Sequence, residues 1–317
     1  MNLLVTGGCG FIGSNFIDMI LKDEKQTVSK VVNVDSLTYA GNVENTRTFN
    51  LDQRYFFENI DLRSFSCVFD VFKKHNITHV VHLAAESHVD NSISSPDIFI
   101  ETNIVGTFNL LKASKYFNVE RFHHVSTDEV YGELGESGKF KETTPYNPNN
   151  PYSASKASSD LLVKSYYHTY GFPATISNCS NNYGPRQHIE KFIPTIISSI
   201  NNNIKIPVYG EGLNIRDWIY VDDHCSGILE VFCRGELGQT YCIGASAEKR
   251  NIDIVHAVCS ALNADPRHYI EYVADRPGHD YRYAIDHTKI YRDLGWAPKC
   301  SFEEGIQKTV EWYCGKS

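Results

Sequence analysis

Thr6-Gly7-Gly8-Cys9-Gly10-Phe11-Ile12-Gly13 is the stretch on which the fold reading turns. The apolar run Leu3-Leu4-Val5 leads into it, and an amphipathic segment from Phe11 to Asp23 leads out. Glycines at 7, 10 and 13 have the spacing of a strand-to-helix turn that receives a dinucleotide. Gly7 permits a tight turn, Gly10 lets backbone amides approach a pyrophosphate, and Gly13 packs helix against strand. The first amides of the helix, at Phe11 and Ile12, add partial positive charge for the phosphates. Alone, such glycines often mark a simple turn; between a strand and a helix they mark a nucleotide site.

Working outward, apolar β-branched runs alternate with amphipathic segments of helix length. Leu3 to Thr6, Val28 to Val34, His79 to Ala84, Phe122 to Ser126 and Ala174 to Ser177 read as buried strands. Phe11 to Asp23, Ser64 to His75, Pro96 to Phe117 and Pro151 to Tyr170 read as helices. The alternation predicts an α/β fold, a Rossmann-like doubly wound parallel sheet covered on both faces, with ligands beyond the strands' C-terminal ends. Residues 1–185 form the expected nucleotide-binding domain. Residues 186–317 form mainly a smaller C-terminal substrate-binding domain, with a return to the first at about 217–245 through Trp218-Ile219-Tyr220-Val221 and Tyr241-Cys242-Ile243. Helical patterns there run over Lys191 to Asn201, Asp222 to Arg234, Ile252 to Leu262 and Phe302 to Tyr313.

Asp35 follows the second strand and lies 22 residues beyond Gly13. A carboxylate there accepts hydrogen bonds from the adenine ribose hydroxyls and repels a 2′-phosphate. Ser36, Leu37 and Thr38 bring no arginine to receive that phosphate, so NAD is favoured over NADP. Asp61, after the third strand, is a second adenine-side contact.

Composition narrows the class. The chain has 317 residues, 42% hydrophobic and 21% charged, within the range of ordinary globular proteins. A net charge of −8 gives no bulk attraction to nucleic acid. With no charged leader and no apolar span of membrane length, the reading is a cytoplasmic protein with no membrane partner. Nine cysteines, an odd number with no Cys-x-x-Cys pair, argue against a disulfide framework and a zinc site. His123-His124 falls in a predicted strand with no supporting cluster, so no metal is expected.

Tyr152-Ser153-Ala154-Ser155-Lys156 opens a helix behind Asn150-Pro151. The spacing of four puts phenol and ammonium on one face, one turn apart. A tyrosine of pKa about 10 is a poor base until a fixed positive charge steadies its phenolate. Lys156 and a bound nicotinamide supply that charge in this reading. Thr127-Asp128-Glu129 stands where the fifth strand leaves the sheet. Two adjacent carboxylates resist simultaneous ionisation, which divides them into an acid and a base.

Together these segments resemble the extended short-chain dehydrogenase/reductase family, and within it the nucleotide-sugar 4,6-dehydratases that act on dTDP-glucose. The resemblance runs through Val34 to Asn42, Leu83 to Asp90, Thr127-Asp128-Glu129, Tyr152 to Lys156, Asn178 to Pro185, Arg216-Asp217-Trp218 and Asp275 to Asp280. It implies that Tyr152, helped by Thr127, removes the sugar O4 proton as the C4 hydride passes to NAD. Glu129 then takes the C5 proton, Asp128 protonates the departing O6 hydroxyl, and hydride returns to C6. It also implies a cofactor contact at Ala84 and substrate contacts at Ser87, Asn181, Lys191, Arg216 and Arg276, with the arginines on the diphosphate of a nucleotide-linked glucose. A homodimer built on Pro96 to Phe117 and Pro151 to Tyr170 is a further implication. Cys9 departs from the family's usual alanine, and Arg186-Gln187-His188 is a variable stretch that leaves thymine and uracil nucleotides both open. Two other readings stand beside this one: a 4-epimerase or decarboxylase on the same scaffold, and a non-catalytic NAD-binding sensor. Epimerisation needs no acid-base pair at C5 and C6, and a sensor has no need of all five of Tyr152, Lys156, Thr127, Asp128 and Glu129.

Overall fold

Leu3 and Val5 pack into one apolar cluster while Leu4, between them, packs into another. That alternation is what a strand covered on both faces requires. A computed structural model of the protein describes residues 1–23, 28–275 and 280–315. Strands β1 (Asn2–Thr6), β2 (Lys30–Val34), β3 (Tyr55–Glu58), β4 (His79–His82), β5 (Arg121–Thr127) and β6 (Ala174–Cys179) join β10 (Thr240–Ile243) in one sheet. Its order is β10-β6-β5-β4-β1-β2-β3, and every pairing is parallel. Chain direction across the sheet reverses between β1 and β4, the switch point at which such folds bind ligands. The fold is a Rossmann-like doubly wound sheet.

Helices α1 (Phe11–Lys22) and α8 (Val221–Arg234) cover one face, with Phe16, Ile17, Ile20, Ile228, Val231 and Phe232 buried against β1. Helices α2 (Phe65–His75), α5 (Thr107–Tyr116) and α6 (Pro151–Tyr170) cover the other through Phe72, Leu110, Leu111 and Val163. Each such side chain, fully buried, contributes about 1.5–3 kcal/mol before entropy is counted. Helix α6 has sharp boundaries. Asn150 accepts from the Ser153 amide at 2.8 Å, Pro151 takes the first position, and Gly171 ends the helix in the left-handed region.

The expected continuous helix over Pro96 to Phe117 is interrupted. After α3 (Val89–Ser94), the chain forms α4 (Pro96–Phe99), then a wide π-helical stretch over Ile100–Gly106, and only then α5. Extra residues in a turn change which side chains face inward. Here the wide turn buries Asn103, whose amide donates to Glu86 O at 3.0 Å and to Ser155 Oγ at 2.8 Å.

A second cluster gathers the C-terminal elements. Strands β7 (Asn181–Tyr183), β9 (Ile215–Tyr220) and β11 (Glu248–Arg250) form a three-stranded sheet, and β8 (Ile206–Tyr209) pairs with β12 (Ile270–Val273). Helices α7 (Phe192–Asn201), α9 (Asn251–Ala261) and α12 (Phe302–Tyr313) enclose Ile196, Trp218, Ile254, Val258 and Ile306. The short helices α10 (Pro266–Tyr269) and α11 (Thr288–Leu294) complete the set, α11 resting on the large sheet through Ile290 and Leu294. Of the two strand-like runs expected to return to the large sheet, Tyr241-Cys242-Ile243 does so in β10. Trp218-Ile219-Tyr220 does not: its polar-flanked strand pairs with Asn181–Tyr183 and Glu248–Arg250, and Val221 already begins α8. All nine cysteines are free thiols. Among the described residues no helix is long and apolar enough to cross a membrane.

Candidate active site

One cavity of about 330 Å³ opens at the C-terminal ends of β1, β2, β4, β5 and β6. Its walls include Gly7, Gly10, Phe11, Ile12, Gly13, Asp35, Asp61, Ala84, Ser87, Thr127, Asp128, Glu129, Tyr152, Lys156, Asn181 and Lys191. Sixteen residues read from sequence thus meet in one place. Arg216 is not on this wall, and Arg276 lies outside the described residues.

At one end, backbone shape governs. Gly7 has φ +72°, and a Cβ there would sit 2.9 Å from the Ala84 backbone. A Cβ at Gly13 would meet Gly7 O at 2.2 Å, so the helix can approach the turn only without a side chain. The α1 N-terminus has no side-chain cap from Gly10, leaving its first-turn dipole toward the cavity. Asp35 is buried at the end of β2, where Oδ1 accepts from Leu37 N at 2.8 Å and Oδ2 from Cys9 N at 2.9 Å. Burial raises its pKa above the usual carboxylate range, and the two amide bonds oppose that rise. The Cys9 side chain is fully buried, its sulfur accepting from Asn33 Nδ2 at 3.3 Å, away from any role in the cavity. Asp61 is tied locally to Arg63 at 2.7 Å, which holds it below the usual carboxylate range.

Chemistry-bearing groups collect at the other end. Lys156 Nζ donates to Val125 O at 2.8 Å, fixing the ammonium against the last turn of β5. Thr127 caps the short turn Asp128–Tyr131 by accepting from Glu129 N at 3.3 Å, and its hydroxyl donates to Asp128 Oδ1 at 3.3 Å. Asn178 Nδ2 pins Thr127 O at 3.0 Å. The two carboxylates differ in setting. Asp128 is 2% exposed, and burial, then Glu129 and Asp217, push it well above the ordinary carboxylate range. Glu129 is also raised by burial, but Arg216 and Lys191 pull it back. Asp128 is therefore the group that keeps its proton, and Glu129 the one more ready to be ionised.

Tyr152 does not behave as the helix spacing alone suggests. Burial, then the charge of Glu129, raises its phenol well above 10, while Thr127 opposes the rise. Burial lowers the Lys156 ammonium, against the pull of Asp160 and Cys179. The Lys156 ammonium does not offset the burial of the phenol here.

Ser87 reaches the cavity beside Tyr39, the two hydroxyls 3.2 Å apart, and its carbonyl accepts from Lys191 Nζ at 3.2 Å. Asn181 leads β7 along the same wall. Arg216 is buried behind them, its guanidinium donating to the carbonyls of Ile215, Asp280 and Tyr281 and lying 4.3 Å over the Tyr283 ring. A guanidinium held by three carbonyls acts on the site as a fixed charge near Glu129.

Sequence reasoning missed several residues here. Glu86, buried on the wall, stood in a quoted motif without a periodic signal to mark it. Gly8 has a tighter demand than Gly10, since a Cβ there would fall 2.2 Å from Asn33 Oδ1. Gln187 and His188 line the cavity, whereas Arg186 anchors the chain to α1 through Asp18 at 2.9 Å. No local pattern distinguishes these three in the sequence.

Residues 4–309 match the family described as GDP-mannose 4,6 dehydratase. A dTDP-glucose 4,6-dehydratase of Shigella flexneri is 49% identical over 337 residues, covering 99% of this chain and 92% of that protein. The crystal structure of DesIV, a dTDP-glucose 4,6-dehydratase from Streptomyces venezuelae with NAD bound, matches with a TM-score of 0.96 at 44% identity, over 99% of this chain and 97% of that one. A dTDP-glucose 4,6-dehydratase from Bacillus anthracis in complex with NAD gives 0.92 at 42%, with the same coverage.

Proposed function

The chain belongs to the GDP-mannose 4,6 dehydratase family, and from that premise we propose that it acts as an NAD-dependent dTDP-glucose 4,6-dehydratase, a hydro-lyase. The observation that carries this is the pairing of Asp128 and Glu129, one buried and one steadied by Arg216, in the same cavity as Tyr152 and Lys156. Its product is the nucleotide-linked 4-keto-6-deoxyglucose. The base is assigned as thymine, with UDP-glucose as the substrate to be compared.

The residues present fit the cofactor. The glycine turn packs more closely than a Cβ would allow and lines the cavity, the uncapped α1 N-terminus stands on the same wall, and Asp35 offers its carboxylate to a ribose with no arginine beside it in sequence. NAD, when bound, supplies the hydride acceptor and later the hydride donor. Gly7, Gly10, Phe11, Ile12 and Gly13 hold its phosphates, Asp35 and Asp61 its adenosine side, and Ala84 its middle. Tyr152 takes the O4 proton, with Lys156 and Thr127 steadying the phenolate. Oxidation at C4 acidifies the C5 proton, which Glu129 removes. Asp128 gives its proton to O6, which leaves as water, and Glu129, its proton having exchanged with solvent, protonates C5. In net balance the proton taken from O4 restores Asp128. Lys191, Asn181 and Ser87 hold the sugar diphosphate, while Arg216 sets the charge of Glu129 and Arg276 is assigned to the diphosphate by family position alone.

The same reading carries three coarser assignments. Residues 1–185 and 186–317 are taken as cofactor and substrate units joined by the crossings at 217–245. The protein is taken as cytoplasmic. It is also taken as a homodimer through Pro96 to Phe117 and α6, where Ile100, Val105, Phe108 and Leu161 are exposed. Incubating purified protein with dTDP-glucose or UDP-glucose tests the function: the product is lighter by one water, and dTDP-glucose turns over faster. A product of unchanged mass returns the assignment to the 4-epimerases.

A further inference from the structure

We infer that Asp160, a buried carboxylate outside the cavity wall, is a positioning residue for the reaction: it locks β5 to α6 and supplies the fixed negative charge facing Lys156. The inference rests on the catalytic reading above and deepens it. Asp160 is fully buried, one helical turn beyond Lys156 on α6. Its Oδ2 accepts from Ser126 Oγ at 2.9 Å, from Tyr146 OH at 2.9 Å and from Asn178 Nδ2 at 3.4 Å. Its Oδ1 lies 3.1 Å from His124 Nε2. Ser126 runs directly into Thr127, Asp128 and Glu129, and Asn178 also holds Thr127 O at 3.0 Å. One carboxylate thus draws together the strand end that carries the acid-base pair and the helix that carries Tyr152 and Lys156.

Charge gives the arrangement a purpose beyond packing. Lys156, Asp160 and Lys164 stand at intervals of four along α6, so the carboxylate has a lysine on either side. Lys164 is relayed through Tyr146, donating to its hydroxyl at 3.1 Å. Other titratable groups around Asp160 and Lys156 are His124 from β5, His82 from β4, Cys179 from β6, Tyr131 from the turn after β5 and Tyr146 from the loop before α6. Burial holds both His82 and His124 neutral, their rings 5.2 Å apart. The cationic charge facing Asp160 therefore comes from Lys156, with Lys164 beyond the Tyr146 hydroxyl. Burial raises the Asp160 carboxyl, but His124, Lys156 and Ser126 more than offset this, leaving it below the usual range and ionised. Without that negative charge a buried ammonium loses its protons more readily, and a neutral lysine cannot steady a phenolate.

Asp160→Asn preserves shape and removes charge. In the full-length protein carrying NAD, kcat with dTDP-glucose is expected to fall ten- to a hundredfold with KM within about twofold, in the range of a lost electrostatic contribution to catalysis. The alkaline limb of the kcat–pH profile should move to lower pH by about one unit, while Asp160→Glu keeps its position. A role in packing alone changes kcat or Tm without moving that limb. Competitive acetylation of Lys156 across pH, read by peptide mass spectrometry, reports the same shift with no substrate present. Should wild-type protein fail to dehydrate dTDP-glucose, the parent reading falls and the labelling still decides this one. An unmoved Lys156 midpoint in Asp160→Asn overturns the inference. If that variant does not fold, Tyr146→Phe replaces it. Removing one donor concentrates the Asp160 charge and should raise the Lys156 midpoint by about half a unit; an unchanged midpoint overturns the inference equally.

Discussion

At the β1–α1 end of the cavity, fit comes from absent side chains: Gly7, Gly8 and Gly13 allow contacts that any Cβ would block. At the β5–α6 end, fit comes from side chains in unequal surroundings, with Asp128 buried beside Glu129 and Asp217, and Glu129 facing Arg216 and Lys191. The first end is a matter of backbone shape and responds to volume. The second is a matter of charge and responds to substitutions that leave volume alone. Substitutions should therefore separate binding and stability at one end from chemistry at the other.

The largest effect is expected at Tyr152. Tyr152→Phe should lower turnover by about 10³-fold, within the range for loss of a general base, while NAD content stays at the wild-type level. Loss of NAD in parallel would erase the distinction between the two ends. Asp128→Asn comes next, slowing water loss by about 10²-fold while C4 oxidation continues, so absorbance of reduced cofactor accumulates in a stopped-flow trace. Equal slowing of both steps removes Asp128 as the acid. The same variant should gain stability. A carboxyl raised in the folded protein above its unfolded value of about 3.9 favours folding only below that value, and this is lost as pH rises through the folded pKa. Asparagine cannot ionise, so Asp128→Asn should melt higher than wild type near neutral pH, with the gap closing below about pH 4.

At the glycine end the effects are smaller and of another kind. Gly13→Ala forces a Cβ to within 2.2 Å of Gly7 O unless the turn moves. About 1–3 kcal/mol of destabilisation is expected, read by denaturant titration, together with weaker NAD retention. Asp35→Asn should weaken NAD binding by roughly tenfold, about 1.4 kcal/mol, in a calorimetric titration. Asp61→Asn breaks an ion pair whose partners are each 40% exposed, and should change stability by less than about 1 kcal/mol. An Asp61 effect as large as that of Asp35 would blur the contrast between a buried ligand residue and a solvated one.

How far the sequence revealed this protein follows the same division. Glycine spacing, a strand before it and Asp35 after it are local signals, and they mark one end of the cavity by residue. Tyr152, Lys156 and the Asp128–Glu129 pair were equally visible because one spans a single helical turn and the other is contiguous. What escaped notice is non-local. Asn103 points inward through a wide turn that periodicity cannot distinguish from an ordinary helix, and Glu86 is held through it. Arg216 sits among the carbonyls of residues 215, 280 and 281, a setting fixed by tertiary pairing and not by its neighbours in sequence. The strand Ile215–Tyr220 has the composition of a buried strand of either sheet, and only its pairing with Glu248–Arg250 and Asn181–Tyr183 decides between them.

The most direct test follows a single hydrogen. dTDP-glucose carrying deuterium at C4, mixed with dTDP-glucose whose sugar carries carbon-13 and no deuterium, is incubated with the protein and the product read by mass spectrometry and NMR. Transfer of deuterium to C6 within the molecule that began with it, alongside solvent hydrogen at C5, is the predicted result. Deuterium retained at C4 without loss of water, or scrambled between molecules, would contradict it.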